Sequence, residues 1–357
     1  MGSRDGAADD QSLIEARFAA QRIAFGPIIF QCTRVLRDLG ILEAVRANRD
    51  GLTLGEVCAR VDVPPYGVLV LLEGGLAAGV VRAEGDRFVL TKTGACILRD
   101  ELTRINMDFV HHGCYQAFNF LEDAIREGKP AGLHKVFGDW DTIYPALSVL
   151  PQAARDSWFA WNHYYSDAAF PRALPIVFER PHRTLLDVGG NTGKWAIQCA
   201  RYSPQVAVTI LDLPGQAAVA ARNVAAQGLQ GRIAIQSCDL LDQSQALPAG
   251  FDAIWMSQFL VCFAESDVRS LLARAAAAMA PESRLYILDT FWDRQDHEIS
   301  TYCLQASSLY FTCLANGCSR MYKASDITAM VESAGMIVER QTETLGICSS
   351  LMICRRR

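Results

Sequence analysis

The chain has 357 residues, of which 50% are hydrophobic and 20% are charged, so it can bury a large core and is not disordered. Its 34 Lys and Arg against 39 Asp and Glu give a net charge of −5, which argues against a nucleic-acid-binding protein. No apolar run is long enough to span a membrane. The segment Met1–Asp10 is polar and acidic, so we expect no secretory signal.

The 12 cysteines are scattered singly along the chain. No C-x-x-C motif occurs, and the closest pair, Cys313 and Cys318, lacks metal-ligand spacing. Buried or incidental thiols are typical of proteins in a reducing compartment. We therefore predict a cytoplasmic protein without disulfides and without a metal site.

The first part of the chain has the pattern of helices followed by a hairpin. Apolar spacing predicts two helices within residues 12–50, the second over about Ile28–Ala47. Thr53 is placed to cap a short helix, Leu54–Arg60, and Pro65 can begin the next, about Tyr66–Ala78.

A turn at 83–86 then lies between two short apolar runs, Val80–Arg82 and Arg87–Leu90, and predicts a hairpin. Three helices and a hairpin in this order make a winged-helix unit, which we assign to residues 12–100.

Residues 101–180 are mostly helical in pattern and rich in His, Tyr, Trp and Phe, which predicts a helical connector.

From 181 to 357, short apolar runs alternate with helical stretches, as in a Rossmann-like α/β domain with a largely parallel sheet. The predicted strands are Thr184–Val188, Ala207–Leu211, Ile233–Ser237, Ala253–Met256, Arg284–Asp289, Met336–Thr342 and Ser349–Ile353. The predicted helices are Lys194–Tyr202, Gln216–Gln227, Asp267–Ala280 and Ala324–Ala334, with a long insertion at 294–322.

A glycine-rich turn follows the first of these strands, in a D-x-G-G-x-x-G run from Asp187 to Gly193. Gly189 and Gly190 permit positive φ and leave room for a ligand against the backbone. Gly193 lets the next helix begin close to the sheet, and amides at a helix N-terminus can hold an anionic group. The glycine spacing is not the G-x-G-x-x-G of dinucleotide sites.

Two carboxylates follow the neighbouring strands. Asp212 closes the second strand, where an acid can accept hydrogen bonds from ribose hydroxyls. Asp239 follows the third, where it can accept a bond from an adenine amine or cap its own loop. Because ligands bind at the carboxyl ends of parallel strands, the three elements together favour a nucleoside cofactor.

With these motifs, the sequence resembles the class I S-adenosylmethionine-dependent O-methyltransferases of the plant-phenolic and bacterial natural-product type. These enzymes join a winged-helix dimerisation domain to a Rossmann-like catalytic domain. The resemblance covers residues 28–100 and 183–354. It implies S-adenosylmethionine as cofactor, an aromatic or other flat hydrophobic small-molecule acceptor, and a homodimer formed through the N-terminal helices. It also implies a seventh strand that runs antiparallel at the sheet edge, for which Ser349–Ile353 is the candidate.

The resemblance also implies roles for individual residues. Gly189 and Gly190 would lie beside the methionine portion, Asp212 on the ribose, and Asp239 with Leu240 at the adenine. The predicted cofactor-binding residues are Asp187, Gly189, Gly190, Gly193, Asp212, Leu213, Asp239, Leu240 and Ser257.

The family's usual base is absent from this chain. A His often follows the fourth strand in a run like M-K-W-x-L-H-D-W, whereas here Val261 stands in its place and Cys262 in that of the Asp. Neither can act as a carboxylate-oriented imidazole. Positioning the acceptor in line supplies much of the rate, and a base adds a further factor, so activity is not excluded.

Replacement bases can come from the helical connector. We predict His163 and His112 as catalytic candidates; adjacent His111 and His112 diverge by about 100° on a helix, so at most one faces a pocket. A core or interface histidine is the alternative for each. The predicted acceptor-binding residues are His111, Tyr115, Trp161 and Arg320, of which Arg320 can hold a carboxylate or be an ordinary surface residue.

Other functions remain open at this point. Loss of the His favours considering a carboxyl- or N-methyltransferase, or a relative that binds the cofactor without methylating. A ligand-sensing winged-helix regulator is a third reading. The acidic charge opposes it, and so does the segment 54–78, in which Arg60 is the single basic residue.

Overall fold

The computed structural model describes residues 11–147 and 149–357. The chain divides into two compact units, one ending at Val110 and the other beginning at His111. Met1–Asp10, for which no secretory signal was expected, lies outside the described residues. Among the described residues, the helices are all too short or too polar to cross a bilayer.

The first unit contains a winged helix, as predicted. Its elements are α1 (Leu13–Ala24), α2 (Gly26–Asp38), α3 (Ile41–Arg46), β1 (Leu52–Thr53), α4 (Leu54–Cys58), α5 (Pro65–Ala78), β2 (Val81–Glu84), β3 (Arg87–Leu90), α6 (Lys92–Arg99) and α7 (Glu101–Phe109). The three strands pair in the order β1-β3-β2. Thr53 caps α4 in a reciprocal capping box with Glu56, which confirms the predicted helix start.

The helix predicted over Ile28–Ala47 is wrong as a single element. The structure has two helices there, α2 and α3, separated at Gly40, which adopts a left-handed conformation with φ of 75°. Glycine tolerates this conformation at little cost and so permits the chain to change direction. The change turns Ile41, Leu42 and Val45 of α3 fully into the core.

The second unit begins with a helical layer. Its helices are α8 (Leu121–Glu127), α9 (Ala131–Val136), α10 (Ile143–Ala146), α11 (Gln152–Asp167) and α12 (Phe170–Val177). A π-helical turn at Val110–Cys114 and a 3₁₀ turn at Ala117–Phe120 precede them. The aromatic density noted in the sequence lies mainly on α11, where Trp158, Trp161 and Tyr165 are buried.

A seven-stranded sheet follows, as predicted. Its elements are β4 (Thr184–Val188), α13 (Lys194–Tyr202), β5 (Ala207–Asp212), α14 (Pro214–Ala226), β6 (Ile233–Ser237), β7 (Ala253–Ser257), α15 (Glu265–Ala278), β8 (Arg284–Asp289), α16 (Glu298–Tyr310), α17 (Ala324–Ser333), β9 (Met336–Leu345) and β10 (Ser349–Arg356). The strand order is β6-β5-β4-β7-β8-β10-β9, with β4 to β8 parallel. The predicted insertion at 294–322 contains α16 and a π-helical turn, Phe311–Ala315.

The last strand runs antiparallel, as expected, but its predicted place at the sheet edge is wrong. β10 lies between β8 and β9, and β9 forms the edge. The burial patterns give the physical reason, because Ser349–Cys354 is buried throughout whereas β9 alternates with exposed residues. A strand buried on both faces belongs inside a sheet.

This topology brings four strand ends together. The parallel strands β5, β4, β7 and β8 are consecutive neighbours, so their carboxyl ends, and the loops that follow them, meet at one edge of the sheet. The buried rings of Trp195 and Trp255 stack with centroids 3.8 Å apart and support β7 from α13. The edge that carries the predicted site is therefore built on a rigid core.

Candidate active site

The turn after β4 requires glycine at two positions. Gly189 has φ of 72°, and a Cβ there would collide with the ring of Phe259. At Gly190, a Cβ would lie 2.8 Å from Oδ2 of Asp187. The turn is therefore bare of side chains at these two positions, and Gly189, but not Gly190, adopts the positive φ that the sequence permits.

Asp212 ties this turn to the next strand. Its Oδ2 accepts a hydrogen bond of 2.7 Å from the Asn191 amide, and its Oδ1 accepts one of 2.7 Å from the Leu213 amide. Burial raises the pKa of this carboxyl, and the two amide donors oppose the rise. A carboxylate oxygen can accept more than one hydrogen bond, so Asp212 retains capacity for hydroxyl donors.

Asp187 has a different character from Asp212. Its side chain is 2% exposed, and its Oδ2 has no hydrogen-bond partner among the described residues. Burial and the nearby charge of Asp212 raise the pKa of Asp187 to about 8. A hydrogen bond from the Ala196 amide lowers this pKa but does not offset the rise. The carboxyl is therefore mostly protonated and neutral at pH 7.

Asp239 forms the loop cap that the sequence left as an alternative. It is exposed, and its Oδ1 accepts a hydrogen bond of 3.0 Å from the Leu241 amide. The loop is anchored to β5, because the Cys238 amide donates to the Asp212 carbonyl at 2.9 Å. Leu240 beside it is buried.

A cavity of about 210 Å³ opens where these elements meet. All nine predicted cofactor-binding residues except Gly193 line it. Trp158, Trp161 and Tyr310 also line it, and they hold one another: the Trp158 Nε1 donates to the Tyr310 hydroxyl at 2.6 Å, and the Trp161 and Tyr310 ring centroids are 5.7 Å apart. One cavity thus joins a polar strand-end site to an aromatic wall.

Of the two predicted catalytic histidines, His163 lines this cavity. Its Nδ1 is 3.6 Å from Asp167, whose other oxygen is 2.6 Å from the Lys194 ammonium. Burial raises the pKa of Asp167, but the hydrogen bonds from His163 and Lys194 outweigh it and hold the pKa at about 2. The imidazole therefore has an ionised carboxylate beside it.

The remaining predicted residues lie elsewhere in the described structure. His111, His112, Tyr115 and Arg320 do not line the cavity. His112 is exposed and its ring packs edge-on against His111, with centroids 4.7 Å apart. Arg320 pairs with Asp326 at 3.2 Å and lies over the Tyr322 ring, which agrees with the surface alternative.

Asp289 and Tyr144 are among the cavity residues that the sequence reasoning missed. Asp289 ends β8 and is 4% exposed, and the Thr290 amide donates to its Oδ1 at 2.8 Å. Tyr144 lies on α10 with its hydroxyl buried and without a hydrogen-bond partner among the described residues. Asp289 carries the same signal as Asp212, an acid at the end of an apolar strand, whereas nothing in the sequence marks Tyr144.

Comparison with known proteins identifies the family. The model of the O-methyltransferase domain family matches residues 165–337, and that of the Dimerisation2-like domain matches residues 17–88. The chain is 35% identical over 290 residues to 8-amino-8-demethylriboflavin N,N-dimethyltransferase from Streptomyces davaonensis, covering 77% of this chain and 80% of that protein. The chain belongs to the S-adenosylmethionine-dependent O-methyltransferase family.

Two further relatives extend over most of this methyltransferase. L-tyrosine C(3)-methyltransferase from Streptomyces lavendulae is 24% identical over 316 residues, covering 88% of this chain and 85% of that protein. The crystal structure of the S-adenosylmethionine-dependent methyltransferase SibL in its apo form has a TM-score of 0.72 at 24% identity, covering 95% of this chain and 98% of that one. This likeness shows a common fold.

The residues present fit the family's cofactor. The turn at Gly189 and Gly190 lines the cavity with backbone alone, and Asp212 offers acceptors for hydroxyl groups. The Ser257 hydroxyl at the end of β7 is buried and without a partner among the described residues. No group of three or more His, Cys, Asp or Glu in the described part of the chain is arranged to hold a metal ion.

The protonation of Asp187 predicts a pH effect on stability. The pKa of Asp187 is about 8 in the folded enzyme and near 3.9 when unfolded, so between these values the folded state holds the extra proton. Stability then falls as pH rises through this window. Between about pH 6 and about pH 8, we expect the free energy of unfolding of the wild type to fall by up to about 2 kcal/mol because of Asp187. We expect Asp187→Asn to lack this contribution.

Urea unfolding at the two pH values measures this difference. Asp296→Asn, at an exposed aspartate, is the matched control and should keep the wild-type pH dependence. An Asp187→Asn protein that loses as much stability as the wild type would contradict the assignment of a neutral Asp187.

Proposed function

We propose that this enzyme transfers the methyl group of S-adenosylmethionine to a hydroxyl of an aromatic or other flat hydrophobic metabolite. The observation that carries the proposal is the single cavity lined both by the glycine turn with Asp212 and by the aromatic wall of Trp158, Trp161 and Tyr310. Aromatic walls favour flat, apolar acceptors. The names of two relatives, acting on L-tyrosine and on a riboflavin derivative, describe aromatic acceptors and support this class.

We assign the cofactor to the strand-end part of the cavity. In this assignment, Asp212 accepts hydrogen bonds from the ribose, Gly189 and Gly190 face the methionine portion, and Asp239 with Leu240 borders the adenine. Asp187, Gly193, Leu213 and Ser257 complete the set by shaping the turn and the strand ends. The bound cofactor supplies a methyl group on a positively charged sulfonium, and the protein positions an acceptor oxygen in line with it.

The aromatic wall orients the acceptor in this proposal. Trp161 and Tyr310 are held by packing and Tyr310 also by the Trp158 hydrogen bond, so little of the acceptor's binding free energy is lost in ordering them. Val261, which stands where the family often has its histidine, is 5% exposed and adds an apolar surface. His163, beside Asp167, is a candidate proton acceptor in this proposal.

Three matched naphthalenes test the proposed reaction. The enzyme is incubated with S-adenosylmethionine and 1-naphthol, 1-naphthylamine or 1-naphthoic acid, and S-adenosylhomocysteine and methylated product are quantified. We expect the methyl ether from 1-naphthol as the main product. Preferred methylation of the amine or the acid would establish the N- or carboxyl-methyltransferase alternative. Cofactor binding without any product would favour a relative that does not methylate.

The role of Asp212 is tested by cofactor-product binding. Removing a charged hydrogen-bond acceptor costs about 1.5–3 kcal/mol, so Asp212→Ala should weaken S-adenosylhomocysteine binding by about 10-fold or more. Isothermal titration calorimetry measures the change. Asp242→Ala, at an exposed aspartate outside the cavity lining, is the control and should bind as the wild type does. Unchanged affinity in Asp212→Ala would disprove the ribose contact.

We also propose a homodimer formed through the N-terminal helices. Helix α1 has no buried residue, and large apolar side chains at 13–28 are strongly exposed. They are Leu13, Ile14, Phe18, Ile23, Phe25 and Ile28, with exposed fractions from 55% to 80%. Exposed apolar side chains in this number are typical of an interface, and the matching Dimerisation2-like domain supports the same partner. All 12 cysteines are free, which supports a reducing, cytoplasmic location.

A charge placed on α1 tests the dimer. Phe18 is 65% exposed, and Phe18→Glu would bury a charge in the proposed interface, so we expect it to convert the dimer to monomer. Size-exclusion chromatography with light scattering distinguishes the 39.2 kDa chain from twice that mass. Tyr66→Glu, at a residue 77% exposed on α5, is the control and should remain dimeric. A wild type that elutes as a monomer would contradict this partner.

A further inference from the structure

One corner of the cavity is polar although the wall beside it is aromatic. Asp289 from β8, Cys262 from the turn after β7, and Tyr144 from α10 all line this cavity. The Tyr144 hydroxyl and the Cys262 thiol lie side by side, and the Asp289 carboxyl is within electrostatic range of the same thiol. None of the three belongs to the cofactor-binding set assigned above.

The Asp289 carboxyl is held in a fixed position. The turn after β7 is tied to the end of β8 by the Gln258 amide, which donates to the Leu288 carbonyl at 2.8 Å. Amides on both sides donate to the carboxyl: that of Thr290 at 2.8 Å, and that of Val261 from the turn. The carboxyl therefore lies against the backbone of the residue that replaces the family's histidine.

The surroundings of Asp289 are electrically neutral. No lysine or arginine pairs with it in the part of the chain that the structure describes. The titratable groups near it are the Cys262 and Cys348 thiols and, beside Cys262, the Tyr144 hydroxyl. Burial raises the pKa of both thiols to about 12 and that of Tyr144 well above its usual value, so all three stay protonated. Burial raises the pKa of Asp289 itself to about 7. A general base is most effective when its pKa lies near the working pH.

The Tyr144 hydroxyl indicates that a polar group enters this corner. It is buried, and no described residue gives it a hydrogen bond of good geometry. A buried polar atom without a partner is costly, so a bound molecule that supplies one gains affinity there. Since the rest of the wall is aromatic, an aromatic acceptor would direct its hydroxyl toward this corner.

We infer that Asp289 is the proton acceptor of the methyl transfer, in place of the missing histidine. This inference rests on the proposed function. The hydroxyl proton moves to an Asp289 oxygen while an oxygen lone pair forms the new O–CH₃ bond. The C–S bond breaks, and its electron pair stays on sulfur, so the positive charge of the sulfonium and the negative charge of the carboxylate disappear together. The proton then leaves Asp289 for solvent.

His163 is the competing proton acceptor. It has a carboxylate partner, but that carboxylate is shared with the Lys194 ammonium, and both lie on the rim formed by α11 and the start of α13. Asp289 instead lies next to Val261, at the end of the strand pair β7 and β8. The two candidates are far enough apart in the fold to be separated by substitution.

A pair of acceptors that differ in acidity tests the inference. 1-Naphthol needs a base, whereas 1-naphthalenethiol ionises readily without one. Rates with both are measured for the wild type, Asp289→Asn, His163→Gln and the exposed-site control Asp296→Asn. We expect Asp289→Asn to lose about 10²- to 10⁴-fold with the naphthol and little with the thiol. The naphthol rate of the wild type should rise with pH to a plateau above about pH 7, and this limb should vanish in Asp289→Asn.

A second measurement does not depend on turnover. In infrared difference spectra between the wild type and Asp289→Asn, both with S-adenosylhomocysteine bound, a protonated carboxyl band should be present at about pH 5.5 and absent at about pH 8.5. The band of the neutral Asp187 is common to both proteins and cancels in this difference. Calorimetry should give the same S-adenosylhomocysteine affinity for Asp289→Asn as for the wild type.

Each outcome is decisive. An unchanged naphthol rate in Asp289→Asn overturns the inference, and a loss confined to His163→Gln assigns the role to His163. Equal loss with both acceptors indicates a structural role for Asp289 and also overturns it. A wild type that methylates neither acceptor, with or without intact cofactor-product binding, contradicts the proposed function itself.

Discussion

The site depends on one carboxylate, that of Asp212. Its two oxygens bind the Asn191 and Leu213 amides, and so it fixes the glycine turn of β4 to the end of β5 at 2.7 Å on each side. The Gly189 amide adds a second link by donating to the Leu211 carbonyl of β5 at 2.8 Å. The same link orients the backbone that leads into α13. In the proposed function, cofactor binding and acceptor positioning both rest on the geometry of this junction.

Much of the fold could be predicted because local sequence signals and tertiary structure agree. The strands from β4 to β8 are short apolar runs bounded by polar turns. Thr53 followed three residues later by Glu56 is the sequence pattern of a capping box, which marks the start of α4. The break at Gly40 was missed because the apolar periodicity continues through it, and only the left-handed conformation of the glycine separates α2 from α3. Chain order also does not give spatial order, so the central position of β10 had to come from the structure.

The strand-end part of the cavity was visible in the sequence, and most of the aromatic part was not. Glycines and acids at strand ends lie close together in any parallel sheet, so Asp212 and Gly189 could be assigned from their positions alone. Asp289 follows the same rule, as an acid at the end of the apolar strand β8. Trp158 contacts Tyr310, and Tyr144 lies beside Cys262; in both pairs the two residues are far apart in the sequence. Such contacts arise from helix packing, for which a single sequence carries no signal.

The hydrogen bond between Trp158 and Tyr310 has a consequence for how acceptor choice can evolve. Because each ring is held by the other, the two positions form one unit rather than two independent ones. A smaller residue at position 158 would enlarge the cavity and at the same time remove the hydrogen bond that the Trp158 ring donates to the Tyr310 hydroxyl. Relatives with different acceptors can therefore diverge through paired changes in this wall, while the strand-end chemistry below it stays untouched.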